Sequence, residues 1–208
     1  MSEVKKIATR DSYGAALVEL AKDHPDVVVL DADLAAATKT GVFKKAYPDR
    51  HFDCGIAESN MMATAAGMAA CGKIPFVNTF TVFLTSLGLL SARDQICYAN
   101  LNVKFGGAYC GMSDALDGAS HHATEDIAFM RALPNMKVIA PADAAAARWA
   151  TKYAVENYGP MYLRLSREVY PDLYDENMEF ELGRGAIVRD GRDVTVIACG
   201  IMVHKAIE

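Results

Sequence analysis

The chain has 208 residues, of which 52% are hydrophobic and 23% are charged. This profile is typical of a globular protein with one large domain, or with one domain and part of a second. Lys and Arg number 21 and Asp and Glu number 26, so the net charge is −5. An acidic chain without a basic block is a poor candidate for binding nucleic acid or an anionic membrane.

The sequence also argues against membrane insertion and secretion. No apolar run approaches the roughly 20 residues that a membrane span needs, and residues Met1 to Lys6 lack the apolar stretch of a secretory signal. The five cysteines are scattered and odd in number, which argues against a disulfide framework and against a zinc site. We therefore expect a cytoplasmic protein.

Helical and strand patterns alternate from the start of the chain. Asp11 is a candidate N-cap for a helix that ends at Leu20. The continuous β-branched run at 27–30 predicts a strand that is buried on both faces, as in a parallel sheet. Apolar spacing predicts a helix over 58–70 that stops at Gly72. The next predicted elements are strands at 74–79 and 103–109 and, between them, one continuous helix at 81–100.

The alternation continues beyond a polar segment at 112–125, which has no apolar periodicity and predicts a long loop. Loops of this length in compact domains are often functional. The predicted elements that follow are helices at 124–133 and 143–157 and strands at 136–140 and 161–165. This order predicts an α/β fold in which helices cover both faces of a parallel sheet. Ligands of such folds bind at the carboxyl ends of the strands.

The character of the chain changes near residue 171. The acidic, irregular stretch at 171–181 predicts a linker. Strands at 183–188 and 194–198 and a helix beginning at Ile201 then suggest a new unit, which cannot bury its own apolar face with two strands and part of a helix. We expect one domain over 1–180 and the beginning of an incomplete second domain over 181–208.

Several polar and aromatic residues follow predicted strands. Asp31 and Asp33 are either turn residues or site residues. Glu58 opens an Ala- and Met-rich helix, where it is either a cap or a protonated carboxyl that donates a hydrogen bond, since an apolar setting favours the neutral form. Phe80 and Phe83 have helical i, i+3 spacing, which suits either the core or a surface on which a ring stacks.

Two further groups lie later in the chain. The loop at 117–122 places two histidines close to Asp117, a combination that suits acid–base chemistry better than metal binding, because no other Cys or His has ligand spacing. Arg164 and Arg167 follow the last predicted strand, where an arginine either binds an anion or pairs with a carboxylate.

Taken together, these motifs resemble the pyrimidine-binding domain of transketolase and related thiamine diphosphate enzymes. The resemblance extends from about Ala8 to the last unit of the chain. The motifs fall in the family's order: Ala8-Thr9-Arg10, Ala32-Asp33-Leu34, Gly55-Ile56-x-Glu58, Thr79-Phe80-x-x-Phe83, Asp117-Gly118-x-Ser120-His121, Leu133-Pro134-Asn135, Pro141-Ala142-Asp143 and Leu165-Ser166-Arg167.

The resemblance implies a thiamine diphosphate site to which this chain contributes the aminopyrimidine side. Glu58 matches the glutamate that bonds the pyrimidine ring nitrogen, which makes it a catalytic residue as well as a cofactor ligand. Phe80 and Phe83 match the aromatic wall around that ring. Asp33 matches an aspartate near the cofactor.

The resemblance also implies a site for a phosphorylated sugar or a related substrate. Asp117 matches the residue that binds a substrate hydroxyl. His121 matches the histidine that handles protons close to the exocyclic nitrogen of the pyrimidine, which makes it a catalytic as well as a substrate-binding residue. Arg10 and Arg167 match the arginines that hold the terminal phosphate. Tyr109 stands where the family has a histidine.

Two further departures are visible in the sequence. Ala35-Ala36-Ala37 replaces an expected serine, with Thr38 as the nearest hydroxyl, and Ser59-Asn60 follows the glutamate where the family has a histidine. The first of these, like Tyr109, concerns the binding of the terminal phosphate. The Ala35-Ala36-Ala37 run and Tyr109 therefore put a phosphorylated substrate in more doubt than ketol transfer itself.

The sequence has no Gly-Asp-Gly motif of the kind that holds the diphosphate through a metal ion. The resemblance therefore implies that this chain holds no metal. It implies instead a separate N-terminal diphosphate-binding subunit that carries the ligands for Mg²⁺ or Ca²⁺, in a homodimer or a heterotetramer.

The expected activity is that of one half of a split transketolase, which transfers a two-carbon ketol unit. The alternatives are a β-type subunit of a 2-oxo acid dehydrogenase, a deoxyxylulose-phosphate-synthase-like enzyme, and a non-catalytic interaction protein of the same fold. Ser120-His121 after Asp117-Gly118 favours transketolase over the other two enzymes.

Overall fold

The computed structural model of the chain describes residues 6–175, 178 and 180–208. The N-terminal residues 1–5, considered above for a secretory signal, lie outside the described residues. Residues 176, 177 and 179 of the predicted linker do so too. Within the described residues, every helix is too short or too polar to span a bilayer.

The described part of the chain contains eight strands in two sheets. The strands are β1 (Lys6–Ala8), β2 (Val27–Asp31), β3 (His51–Asp53), β4 (Ile74–Phe80), β5 (Lys104–Ala108), β6 (Lys137–Ile139), β7 (Met161–Arg164) and β8 (Val169–Pro171). Six of them make a parallel sheet in the order β3-β2-β4-β5-β7-β6, while β1 and β8 pair antiparallel with Lys6 opposite Pro171. The predicted parallel sheet is confirmed.

Helices cover both faces of this sheet. They are α1 (Thr9–Leu20), α2 (Ala35–Thr38), α3 (Gly41–Ala46), α4 (Glu58–Ala70), α5 (Thr81–Ser86), α6 (Leu89–Ser91), α7 (Asp126–Ala132), α8 (Ala144–Glu156) and α9 (Met202–Ile207). On one face, Met61 and Met62 of α4 pack in a cluster with Phe105. On the other face, Leu17 of α1 and Ala150 of α8 share a cluster. The alternation of elements therefore predicted the layer architecture correctly.

The bounds of α4 are those predicted, whereas the predicted cap of α1 is wrong. Helix α1 begins at Thr9 with Ala8 as its N-cap residue. Asp11 lies in the first turn, where its carboxylate is 3.2 Å from the ammonium nitrogen of Lys39. Asp11 does not cap the helix, because strand β1 ends at Ala8 and the helix follows directly, two residues before Asp11.

The single helix predicted at 81–100 is also wrong. The segment forms α5, the short α6 and a π-helical turn at Ala92–Cys97. The hydroxyls of Thr85 and Ser86 donate to the main-chain carbonyls four residues earlier, an arrangement that bends helices. A Cβ atom on Gly88 would lie 2.9 Å from the carbonyl oxygen of Leu84 and 3.0 Å from the Met62 side chain, so the break is packed against α4.

The two strands predicted at 183–188 and 194–198 are wrong as well. Neither segment forms a strand, and the apolar side chains of Ile187, Val194 and Ile197 are exposed. Alternating apolar residues become a strand only when a neighbouring strand accepts their main-chain hydrogen bonds. Helix α9, by contrast, forms close to its predicted start, and His204 within it stacks on Tyr170 of β8 at 4.5 Å between ring centroids. The division at residue 180 stays a prediction.

The centre of the sheet depends on two glycines in β5. A Cβ atom on Gly106 would lie 2.4 Å from the Asn78 side chain, and one on Gly107 would lie 2.6 Å from the ring of Tyr162. The hydroxyl of Tyr13 donates a 2.6 Å hydrogen bond to the same Asn78. The absence of side chains at Gly106 and Gly107 thus allows large polar residues to pack across β5.

Lys104 is fully buried at the start of β5. It therefore lies at the edge of the sheet formed by the amino ends of the strands, opposite their carboxyl ends. Its ammonium group donates to the carbonyl oxygens of Asn157 and Gly159, both at 2.7 Å. Burial, assisted by the nearby charge of Lys137, lowers the pKa of Lys104 to about 7. The neutral amine is therefore the form that the fold favours.

This lowered pKa predicts how stability changes with pH. Between about pH 7 and the unfolded-state value near 10.4, the unfolded chain holds a proton on Lys104 that the folded chain lacks, so stability rises with pH. Urea unfolding should show wild type gaining roughly 1.4 kcal/mol per pH unit relative to Lys104→Met in this window. The difference should be flat from pH 5.5 to 6.5. Parallel stability curves up to pH 9.5 would contradict the prediction.

Candidate active site

The predicted site residues lie at the carboxyl edge of the parallel sheet. Strand β2 has β3 on one side and β4 on the other, so the order in which successive strands join the sheet reverses between β2 and β4. Asp33 follows β2, Phe80 ends β4, Tyr109 follows β5 and Arg167 follows β7. A crevice at such a reversal point is where open α/β sheets bind their ligands.

Glu58 is the first residue of α4, and its side chain is buried. The hydroxyl of Thr79, in the adjacent strand β4, donates a 3.2 Å hydrogen bond to Oε1 of the carboxyl group. The bond joins the helix start to the residue that precedes Phe80. Glu58 is thus held at the edge of the sheet next to the aromatic residues described below.

Four rings form what we call the aromatic cluster: Phe80, Phe83, Tyr109 and His121. Phe80 contacts Tyr109 at 4.3 Å and Phe83 at 5.9 Å between ring centroids. His121 presents its edge to Phe80 at 5.9 Å and to Phe83 at 5.4 Å. Ser120 Oγ lies 2.9 Å from His121 Nδ1. The loop at 112–125 therefore brings an imidazole against the phenylalanines at the end of β4.

Two arginines meet the ring of Tyr109. The guanidinium carbon of Arg10 is 4.6 Å from the ring centroid and that of Arg167 is 5.2 Å from it. Tyr109 is buried and has a left-handed φ of 60°, a conformation that is uncommon for a bulky residue and often marks functional sites. We call these three residues the Tyr109 clamp.

A buried carboxylate not singled out in the sequence reaches this clamp. Asp114 accepts a hydrogen bond from Arg167 at 2.5 Å and is fully buried. Burial and the neighbouring Asp117 raise the pKa of Asp114, and Arg167 opposes the shift. Asp117 itself is exposed. His122, suggested above for acid–base work together with His121, instead meets the main-chain oxygen of Asp114 at 3.0 Å.

The turn after β2 is held by Asp31. Its carboxylate accepts hydrogen bonds from Leu34 N at 2.7 Å, Thr38 Oγ1 at 2.9 Å and Thr40 Oγ1 at 2.6 Å. Burial raises the pKa of Asp31 to about 6, although these hydrogen bonds oppose the shift. Thr38 Oγ1 shares its single proton between Asp31 Oδ2 and Leu34 O, which lies 3.1 Å away, so the hydroxyl is used inside the turn and does not replace the serine that the family has nearby.

The same turn positions Asp33 and Arg10. Asp33 is exposed, with a φ of 60°, and its N–H donates to Asp53 Oδ1 at 3.1 Å. Arg10 Nη1 donates to the carbonyl of Ala37 at 2.9 Å. Leu34 and Ala37 pack against Phe80 and Tyr109. The turn is thereby attached to the aromatic cluster. The Asp33 carboxyl, however, makes no hydrogen bond to a described side chain that would fix its direction.

Arg164, considered above as an anion ligand, has a structural role. Its guanidinium bonds Asp126 through Nε at 2.7 Å and Nη2 at 3.2 Å. The Tyr162 hydroxyl donates to the same carboxylate at 2.6 Å. Burial, with the Asp126 charge, raises the pKa of Tyr162, so that the phenol remains a donor. The three groups tie α7 to β7.

These residues fit the aminopyrimidine side of a thiamine diphosphate site. A buried carboxyl can hold a proton against a ring nitrogen, and the partly exposed Phe83 ring offers an aromatic surface. The described residues contain no cluster of three or more His, Cys, Asp or Glu side chains that could hold a metal ion. The side chains at this edge of the sheet suit the binding of an aromatic ring and an anion.

Most of the predicted site residues come together in this way. The aromatic cluster, Arg10 and Arg167 form one continuous group, Glu58 joins it through Thr79, and Asp117 joins it through Asp114. Asp33 stands slightly apart. The one sign of Asp114 in the sequence is its place in the long polar loop, and Asp31 is predicted only as either a turn residue or a site residue. The individual roles stay predictions.

Comparison with known proteins identifies the fold and the family. Residues 5–172 match the family model described as "Transketolase, pyrimidine binding domain". A "Putative transketolase C-terminal section" from Methanocaldococcus jannaschii is 42% identical over 200 residues, which cover 95% of this chain and 63% of that protein. The "6-deoxy-6-sulfo-D-fructose transketolase subunit" from Clostridium sp. is 41% identical, with coverage of 95% and 62%.

Solved structures agree. A structure titled "Split gene transketolase, inactive beta4 tetramer" superimposes with a TM-score of 0.88 and 49% identity, covering 98% of this chain and 66% of that one. Transketolase from Campylobacter jejuni gives a TM-score of 0.75 at 27% identity, covering 83% of this chain and 28% of that one. The chain spans less than two thirds of the length of the two curated relatives above. It belongs to the transketolase pyrimidine-binding domain family.

Proposed function

We propose that this chain is the pyrimidine-side subunit of a thiamine diphosphate-dependent transketolase, which transfers a two-carbon ketol unit between sugar phosphates or related acceptors. The observation that carries the proposal is the buried Glu58 carboxyl at the start of α4, bonded to Thr79 beside the aromatic cluster. An interaction protein without catalysis has no need of a buried carboxyl at the edge of a cluster that also holds an imidazole and meets two arginines.

Each residue has a role that its chemistry supports. When bound, thiamine diphosphate supplies the carbanion chemistry of ketol transfer. Glu58 holds a proton at its carboxyl oxygen against a ring nitrogen, while Phe80 and Phe83 exclude water from that ring. His121 moves protons at the substrate, and Asp117 accepts a hydrogen bond from a substrate hydroxyl.

The remaining predicted ligands lie on either side of this group. Arg10 and Arg167, with Tyr109 between them in the clamp, hold the far end of the substrate. Asp33 lies at the cofactor side of the turn that follows β2. These assignments are supported by the continuity of the clamp with the aromatic cluster.

We further propose that a separate subunit supplies the diphosphate site and the ligands for Mg²⁺ or Ca²⁺, in a heterotetramer or a homodimer of paired chains. The names of two relatives, a C-terminal section and a split-gene transketolase, support separate chains. Ile56, Leu87 and Leu90 are exposed, and Ser59 Oγ donates to Leu87 O at 2.5 Å next to Glu58. An exposed apolar surface beside the site suits a partner subunit.

The experiment is to measure cofactor binding and ketol transfer with and without the partner. Calorimetry with Mg²⁺ and thiamine diphosphate should show no micromolar binding to this chain alone, because the sequence lacks the Gly-Asp-Gly motif that holds the diphosphate through a metal ion. Addition of the diphosphate-binding subunit should produce binding and transfer from a ketose donor. Ile56→Glu should prevent assembly, whereas Tyr158→Glu, exposed at the opposite edge of the sheet, should not.

Three results would contradict the proposal. Micromolar binding by the isolated chain would overturn the separate diphosphate subunit. Use of pyruvate in place of a ketose as donor would favour the 2-oxo acid dehydrogenase or deoxyxylulose-phosphate-synthase-like alternative. Failure of the assembled chains to bind the cofactor would favour the non-catalytic alternative.

A further inference from the structure

The Tyr109 clamp contains its own anion. Arg167 uses Nη1 to bond Asp114, and Arg10 uses Nη1 to bond the Ala37 carbonyl. Each guanidinium therefore has only its remaining N–H groups available to bond a ligand. Asp114 is the one of these partners that also changes the charge of the clamp.

Asp114 is built into the protein rather than attached to its surface. The residue is 0% exposed, while the Arg167 side chain is 36% exposed. Among the described residues, Asp114 Oδ2 and Arg10 Nε are buried side-chain atoms without a hydrogen-bond partner. Buried polar atoms without partners are costly, so Arg10 Nε indicates a ligand that completes its hydrogen bonds. Asp114 Oδ2 belongs to a carboxyl that also faces Asp117.

The net positive charge of the clamp is too small to balance more than a little negative charge on a ligand. Arg10 and Arg167 contribute two positive charges and Asp114 one negative charge, which leaves one positive charge. Asp11, 3.8 Å from Arg10 Nε, is closer to Lys39, at 3.2 Å. Asp117 adds a second carboxyl beside Asp114. A phosphate ester, which is a dianion near pH 8, would therefore exceed the available positive charge.

We propose that Asp114 is a specificity-determining residue that makes the clamp select a substrate whose far end carries at most one negative charge, over a dianionic phosphate ester. The selected class comprises sugars that end in a hydroxymethyl, carboxylate or sulfonate group. A hydroxyl at that end donates to the Asp114 carboxylate, and a singly charged end matches the remaining positive charge. This inference rests on the proposed ketol transfer for its substrate but not for the charge preference itself.

The charge preference can be tested on the chain without its partner. Sulfate and methanesulfonate have similar shapes and carry two and one negative charges, so they are titrated at pH 8 while the guanidinium NMR signals of Arg10 and Arg167 are followed. Wild type should bind sulfate no more than twofold more tightly than methanesulfonate. Asp114→Asn, which keeps a side-chain oxygen for Arg167, should improve sulfate binding at least fivefold. The matched control is Glu125→Gln, which removes an exposed charge from the end of the same loop and should change neither affinity by more than twofold.

The assembled enzyme provides the second measurement. The ratio of kcat/KM for D-ribose to that for D-ribose 5-phosphate should fall at least fivefold in Asp114→Asn. Weaker binding of both anions in this variant would overturn the proposal, because it would mean that Asp114 only orients Arg167. Absence of any anion-dependent shift in both proteins would also overturn it. If the assembled chains show no ketol transfer, the proposed function fails, while the anion titration still decides the role of Asp114.

Discussion

Replacement of Glu58 by glutamine is expected to reduce ketol transfer by the assembled enzyme by about 10²-fold or more. Glutamine keeps the size of the side chain and can accept the hydrogen bond from Thr79, but it cannot exchange a carboxyl proton with a ring nitrogen. Positioned acid–base groups contribute about 10²–10⁴ in rate. The measurement is kcat/KM at saturating thiamine diphosphate, with circular dichroism to establish that α4 is intact.

The control uses another glutamate at the start of a helix. Glu125 precedes α7 and is exposed, so Glu125→Gln should retain at least half of the wild-type activity. If Glu58→Gln loses less than tenfold, the carboxyl is a structural feature of the α4 start and not a catalytic residue. A loss of folding in Glu58→Ala together with a stable, inactive Glu58→Gln would still support the catalytic role.

The largest expected effect on stability follows from removal of the Asp126 carboxylate. Asp126→Ala would leave the Arg164 guanidinium, 15% exposed, and the fully buried Tyr162 hydroxyl without their shared acceptor. Loss of one partner of a buried ion pair costs about 3–5 kcal/mol. Urea unfolding of the isolated chain at pH 7 should show this decrease in the free energy of unfolding.

An exposed pair of similar chemistry serves as the comparison. Asp26 and Lys73 are 2.8 Å apart, with side chains 54% and 44% exposed. Asp26→Ala should cost less than about 1 kcal/mol, since water screens such pairs. Equal effects of Asp26→Ala and Asp126→Ala would contradict the structural role assigned to the buried group.

The sequence predicted the long, strongly patterned elements well. Strand β2 and helix α4 were predicted within one residue, because a continuous β-branched run and regular apolar spacing are local properties. Short elements such as β3, at three residues, carry too little pattern to be detected. The break within 81–100 was missed because it depends on the packing of Met62 against Gly88, which are distant in sequence.

The candidate site follows the same division. Residues at strand ends, such as Phe80 and Tyr109, could be selected from the sequence because parallel strands place their carboxyl ends at one edge. The sequence could not indicate that Asp114 pairs with Arg167, 53 residues away, or that Asp126 pairs with Arg164, 38 residues away. Those pairs depend on the order of the strands and on burial, both of which arise only when distant segments pack together. The sequence alone thus determined which chemistry is present at the sheet edge, and the tertiary structure decided which charges remain free to meet a ligand.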